Sequence, residues 1–447
     1  MNLIKPSFRR AYPVAAYAIG SAIVAEDGRQ WIDAASGAIA CAIGHGDPRV
    51  AAAVAEQMGR ASFVYRTQFT NEPAERLAAR LCARLGYGAA FFTNSGSEAV
   101  EVAVRIAQQF WRESGRPEKT RILSRRLSYH GATIGALGFS GHWPRRRAAG
   151  PLAGEPTLPT PYCLRCPLDH KPDSCELACA KAIERQIGEY GQNNVAAVLI
   201  EPIVGASGAA IMPPRGYLRR VREICDRYEI LLIADEVLTG LGRTGRWLAM
   251  EHGGVKADIV CVGKGLNAGY LPISGALISE RVAATLSAGS GSFPLGHTHS
   301  NHPVAAAAAN AVLDCLESDN LVARAETFGA ALGKRLRHIA SRHPTIGDVR
   351  GTGMFWGVEI VEPQSGAPLP SERHAADRVV DIAFELGLVI YPSAGFAAEK
   401  GGDAIIVAPP LNVSEAEIDA IIERLELAIG EFETELFQIG GGSIAAE

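Results

Sequence analysis

The chain has 447 residues, of which 47% are apolar and 21% charged, and its formal net charge is −4. This balance suits a folded chain of two or three domains and gives no electrostatic reason to bind nucleic acid or an anionic membrane. No run approaches the ~20 consecutive apolar residues of a membrane span, and residues 1–10 lack the apolar stretch of a secretory leader, so a cytoplasmic enzyme is the expectation.

Residues 12–40 alternate apolar and polar around Asp27-Gly28, a hairpin signal. Asn71, with Pro73 close behind, opens a helix whose Leu77, Leu81 and Leu85 recur on one face. Short apolar runs at 89–93, 121–124, 195–200, 230–234, 259–262 and 275–278 then alternate with helical stretches. That alternation predicts an α/β fold with a mainly parallel sheet covered by helices on both faces. An alanine-rich segment at 304–309 begins a helical tract to about 341. Residues 349–360 read as strand, 373–386 as helix, and 388–391 and 405–407 as strands, while Ser414 caps a last helix near 415–435. The expected layout is a large domain over 56–320, a smaller α+β domain built from 1–55 and 321–438, and a tail at 439–447.

Five of the nine cysteines stand alone, Cys41, Cys82, Cys225, Cys261 and Cys315, and read as small buried apolar residues in a reducing compartment. The other four, Cys163, Cys166, Cys175 and Cys179, share a proline-bearing loop near 161–180. Their spacing suits a tetrahedral zinc or a disulfide, but the expectation is reduced thiols and no metal. The basic run Arg145-Arg146-Arg147 reads as a solvated loop.

An apolar strand ends in Asp235, and a second ends beside Lys264, 29 residues later. A lysine can form an imine with the aldehyde of pyridoxal phosphate, and a carboxylate can hold the ring nitrogen protonated so that the ring accepts electrons. Upstream, residues 91–98 pass from a strand through Asn94-Ser95-Gly96-Ser97 into a helix. Such a turn offers free backbone N–H groups and the positive end of a helix dipole to an anion, although Ser97 alone would equally serve as a helix cap. Tyr129 follows another apolar run and suits stacking on a planar ring, and Val237, two residues beyond Asp235, points to the same side as Asp235.

Taken together, Asn94-Ser-Gly-Ser-Glu-Ala, Tyr129-His-Gly, Glu201-Pro-Ile, residues 234–245, Gly263-Lys-Gly-Leu and residues 297–303 resemble the class III aminotransferases of pyridoxal-phosphate fold type I. The likeness spans roughly 12–435, in the family's order. It implies pyridoxal 5'-phosphate as cofactor, Lys264 as the Schiff-base lysine and Asp235 as partner of the ring nitrogen. Gly96 and Ser97 resemble the phosphate turn, Tyr129 the stacking aromatic, Val237 the residue on the opposite ring face, and Glu201 the Glu-Pro carboxylate beside the ring pocket. Thr298 resembles the threonine that reaches the neighbouring subunit's cofactor, which implies a homodimer with shared sites.

The implied substrates are an amine or amino acid and a keto acid. Relatives acting on ornithine or 4-aminobutyrate carry a glutamate and an arginine where this chain has Ala206 and Ile406. The sequence is thus more similar to the amine–pyruvate branch, whose C-terminal loop here offers only Lys400 to a carboxylate. A racemase, aminomutase or phospho-lyase of the same fold would use the same Lys264 and Asp235. Gly240, Gly242 and Gly245 formally match a dinucleotide fingerprint, but the nearest candidate for its acidic residue at a strand end, Asp258, follows too soon for an NAD-dependent oxidoreductase.

Overall fold

A computed structural model describes residues 2–397 and 401–441. Lys400 and the end of the expected tail, 442–447, lie outside the described residues.

The centre is a six-stranded sheet in the order Ala89–Thr93, Ser274–Ile278, Ile259–Val262, Leu231–Asp235, Val195–Ile200, Arg121–Leu123. Only Ser274–Ile278 runs against its neighbours; the other strands are parallel. The four middle strands are buried along their whole length, so they read as unbroken apolar runs rather than as alternating ones. The helix Gly96–Glu113 lies on one face and buries Val100, Val102, Ala103, Ile106 and Phe110. Each large aliphatic side chain so buried contributes about 1.5–3 kcal/mol.

Strands from the two ends of the chain meet in a second sheet, Ala15–Ile19, Ala22–Ala25, Gln30–Asp33 and Leu388–Val389, where Ile32 pairs with Leu388. A third, antiparallel sheet is made from Ile346–Thr352, Phe355–Ile360, Asp403–Val407 and Tyr391–Ala394.

Three elements depart from the sequence reading. The single strand expected at 349–360 is a hairpin, because Gly353 turns the chain at φ 57°. The tract after residue 303 breaks into Pro303–Ser318 and Leu321–Ala340 at Asn320, which adopts a left-handed φ of 51°. The last helix, Glu415–Gly441, runs beyond 435 into the expected tail. Its start is as expected, with Ser414 Oγ accepting from the Glu417 N–H at 3.2 Å. Asn71 likewise caps Glu72–Leu85 through the Ala74 N–H at 3.0 Å.

Candidate active site

Parallel strands deliver their C-terminal ends to one edge of the sheet, and in open α/β sheets ligands bind outside that edge. Asp235 pairs with Cys261 in the ladder, so Lys264 leaves the neighbouring strand three residues further on, at the same edge. Thr93, Leu123 and Ile200 end their strands there too and lead to Gly96, Tyr129 and Glu201. A cavity of about 410 Å³ opens at this edge, lined by Gly96, Ser97, Tyr129, Glu201, Asp235, Val237 and Lys264, with Leu238, Leu271 and Ile273 adding apolar wall.

Lys264 sits in the left-handed region at φ 43°, a strained conformation that packed surroundings must hold. Burial pushes its ammonium down to about 8, the Arg145 and Arg243 guanidiniums add to that push, and Asp235 and Glu201 oppose it. The Asp235 carboxylate is buried; Oδ1 accepts from the Val237 N–H at 3.1 Å and Oδ2 from His130 Nδ1 at 2.8 Å. The other ring nitrogen of His130, Nε2, is buried with no hydrogen-bond partner among the described residues.

Ser95, not Ser97, caps the helix, accepting from the Glu98 N–H at 3.3 Å. Gly96 and Ser97 therefore open the helix, with N–H groups that no intrahelical carbonyl can reach. Ser97 Oγ accepts from the Ala132 N–H at 3.0 Å. Gly96 lies so close to Val237 that an added Cβ would meet Val237 Cγ1 at 2.8 Å. Glu201 is buried, which pushes its carboxyl up, and it accepts from the Tyr129 N–H at 2.9 Å and the Gly205 N–H at 2.7 Å. It thereby fixes the backbone that carries Tyr129.

The structure thus brings seven of the expected residues together: Gly96, Ser97, Tyr129, Glu201, Asp235, Val237 and Lys264. Thr298 stands on an exposed turn and is not among the residues lining this cavity. Ala206 lines the cavity without charge, and Ile406 is buried in a strand.

His130 and Arg145 escaped the sequence reading. The solvated-loop expectation for 145–147 needs correction, because only Arg147 is exposed. Arg145 lies over the Tyr129 ring, 4.1 Å from its centre, and Arg146 donates to the carbonyls of Leu137, Gly138 and Ser140. Arg243 is a structural residue, donating to the carbonyls of Met354 and Pro409. The Gly240–Gly245 turn leads into the short 3₁₀ helix Ala249–Gly253 and not into an α-helix, which removes the dinucleotide reading.

The thiols of Cys163, Cys166, Cys175 and Cys179 share one small cavity and none is bonded to another. No three of these sulfurs come within 4.8 Å of one another among the described residues. Of the solitary cysteines, Cys225, Cys261 and Cys315 are buried, whereas Cys41 and Cys82 are only half-buried. Cys41 lies with Asp33 and His45 in the one group of metal-like spacing among the described residues. The Asp33 carboxylate there is already engaged by the N–H groups of Ala35 and Gly37 and by His45.

Residues 9–429 match the model of the family described as aminotransferase class-III. The chain belongs to the class-III aminotransferases. Its cofactor is pyridoxal phosphate and its reaction is amino transfer. The donor set fits that cofactor: an amine held down to about 8, a buried carboxylate and a helix start line one cavity beside an aromatic ring.

An uncharacterized aminotransferase, YodT of Bacillus subtilis, is 42% identical, over 97% of this chain and 98% of its own. A putrescine–pyruvate aminotransferase of Pseudomonas aeruginosa is 32% identical, over 89% and 86%. A leucine/methionine racemase of Thermococcus litoralis is 35% identical, over 91% and 88%. Among solved structures, an amine transaminase from an uncultivated Pseudomonas species, in its pyridoxal-phosphate-bound form, superposes with a TM-score of 0.90 at 34% identity, covering 96% of this chain and 98% of that one.

Proposed function

We propose that this class-III aminotransferase takes the amino group of an amine or ω-amino acid and passes it to a keto acid such as pyruvate, with Lys264 and Asp235 as its catalytic pair. In this reading Lys264 anchors the cofactor's aldehyde and Asp235 faces its ring nitrogen. The N–H groups of Gly96 and Ser97 hold the phosphate, and Tyr129 and Val237 cover the two ring faces. When bound, pyridoxal phosphate supplies an electron sink for the carbon that carries the amino group.

The protein's own part is to position groups and move a proton. With its ammonium at about 8, Lys264 is partly the free amine near neutral pH, able to take a proton from the donor carbon and deliver it two bonds away, to the carbon on the far side of the amino nitrogen. Asp235, held from two sides by His130 and Val237, keeps negative charge at a fixed point opposite. Glu201 locks Tyr129 in place through its backbone.

The observation that carries this reading is the meeting of Lys264, Asp235 and the Gly96–Ser97 helix start on one cavity. A donor screen with pyruvate as acceptor tests it: alanine should form with amines or ω-amino acids. The racemase relative supports a second reading, in which the same residues return the proton to the opposite face of the same carbon. Loss of optical rotation from a single amino acid without any alanine formed would favour that reading.

We assign the dimer to the same proposal. Exposed Tyr17, Ile19, Phe63, Tyr65 and Phe69 offer apolar surface to a second copy, and Thr298 is exposed for its cofactor. The division into a large domain at 56–320 and a smaller one from both ends is likewise proposed, supported by the parallel pairing of Ile32 with Leu388. No helix among the described residues is long and apolar enough to cross a membrane. Nine unbonded cysteines suit a reducing, cytoplasmic setting.

A further inference from the structure

We propose that Asp33, Cys41 and His45 form a zinc site behind the wall of the Lys264 cavity. A carboxylate oxygen, a thiol sulfur and a ring nitrogen from these residues all lie within 4.8 Å of one another. His45 Nε2 already stands 3.0 Å from Asp33 Oδ2. Two nitrogen or oxygen ligands of a tetrahedral zinc stand about 3.4 Å apart, so an ion fits between them with little movement.

The backbone holds all three residues in place. Asp33 ends the strand Gln30–Asp33, where its N–H donates to the Ser21 carbonyl at 2.7 Å. The Cys41 N–H donates to the Ser36 carbonyl at 3.1 Å. His45 exchanges backbone hydrogen bonds with Gly20 in both directions, at 2.8 and 2.9 Å.

The bonds already made to Asp33 suit a metal ligand. Oδ1 accepts from the Ala35 N–H at 3.1 Å and Oδ2 from the Gly37 N–H at 2.8 Å. A metal leaves both in place, and such outer bonds orient a coordinating carboxylate. The third bond comes from the His45 ring. Zinc would take the place of the proton between Oδ2 and Nε2, and Cys41 would give up its thiol proton, both protons passing to solvent.

The donor set selects the ion. Magnesium and calcium take oxygen ligands, whereas one carboxylate, one imidazole and one thiolate suit zinc with water in the fourth position. The His45 side chain is 22% exposed, which gives that water a way in, while the Asp33 side chain is fully buried.

Position gives the site its consequence. A Cβ on Gly269 would meet Cys41 Sγ at 3.0 Å, and Gly269 lines the Lys264 cavity together with Ala40. An ion on Cys41 would therefore tie the strand end at Asp33 to the cavity wall without touching the residues that hold the cofactor.

The test does not depend on turnover. Zinc chloride is titrated, against a chromogenic chelator, into pyridoxal-phosphate-loaded protein that has been washed free of metal. Wild type is compared with Cys41→Ser, with His45→Gln, which keeps a donor for Asp33, and with Cys175→Ser as a control for the 161–180 loop. Wild type and Cys175→Ser should share one tight zinc per chain. Cys41→Ser and His45→Gln should bind it at least about tenfold more weakly, since loss of even a ligand's outer partner costs that much. Zinc should also raise the Tm of wild type more than that of Cys41→Ser. Cobalt(II) in place of zinc should give wild type the visible absorption of a four-coordinate thiolate site, which a packing role for Cys41 would not produce. A wild type without tight zinc, or a Cys41→Ser protein that binds zinc and cobalt as wild type does, would overturn the proposal.

Discussion

His130 Nδ1 lies 2.8 Å from Asp235 Oδ2, and both side chains are buried at the floor of the cavity. The Val237 N–H holds the other oxygen at 3.1 Å, so the carboxylate is fixed in rotation as well as in place. Removing the imidazole frees that carboxylate to turn. His130→Ala should lower kcat by about tenfold to a hundredfold, the loss of one charge-assisted hydrogen bond of ~1.5–3 kcal/mol. Steady-state kinetics on the fully loaded variant check this, and an unchanged kcat would show that the Val237 N–H alone suffices.

Asp235→Asn keeps the shape of the side chain and removes its charge. The variant should still take up pyridoxal phosphate but lose at least about a hundredfold in kcat, because a neutral amide cannot hold positive charge on the ring nitrogen. Cofactor content by absorbance, measured beside kcat, separates the two effects. A rate within a few-fold of wild type would remove Asp235 from the catalytic pair.

Gly96 has no room for a side chain. Adding one would set a Cβ 2.8 Å from Val237 Cγ1, so the helix start or Val237 must shift. Gly96→Ala should weaken pyridoxal-phosphate affinity by about tenfold, in line with an overpacking cost of ~1–3 kcal/mol. Equilibrium dialysis of the cofactor measures it, and unchanged affinity would place the phosphate elsewhere.

The ammonium of Lys264 is held down to about 8 in the cofactor-free protein, first by burial. Only the uncharged amine adds to an aldehyde, and its share rises with pH through that value. Capture of added pyridoxal phosphate by stripped protein should therefore be half-maximal near pH 8, whereas an ordinary lysine would need a pH above about 10. The sign for stability follows. Unfolding restores an ordinary lysine that binds a proton between the two values, so this group's cost to the folded state is full below about 8 and lessens as pH rises toward the unfolded value. A capture profile centred near pH 10 would contradict the burial of this amine.

Much of this was legible because the chemistry lies at strand ends. Four middle strands are buried throughout and announce themselves as apolar runs, and Asp235 falls where one of them stops, while the Gly96–Ser97 turn follows the edge strand Ala89–Thr93. Lys264 is read in the same way, one turn beyond its strand. Arg145 and His130 were not legible, because their roles come from contacts across the fold. His130 meets Asp235 from 105 residues away, and a run of three arginines reads as a solvated face until the packing of Pro144 on Gly395 is known. The hairpin at Gly353 was hidden for a local reason: one glycine with φ 57° turns a strand that otherwise reads as continuous.

The central claim is that Lys264 is the amine that bonds the cofactor and carries the proton. Lys264→Ala, purified in the presence of pyridoxal phosphate and then gel-filtered, should show no visible absorbance band from a bound imine and no alanine formation from any donor with pyruvate. A Lys264→Ala protein that kept both the band and wild-type turnover would contradict the account.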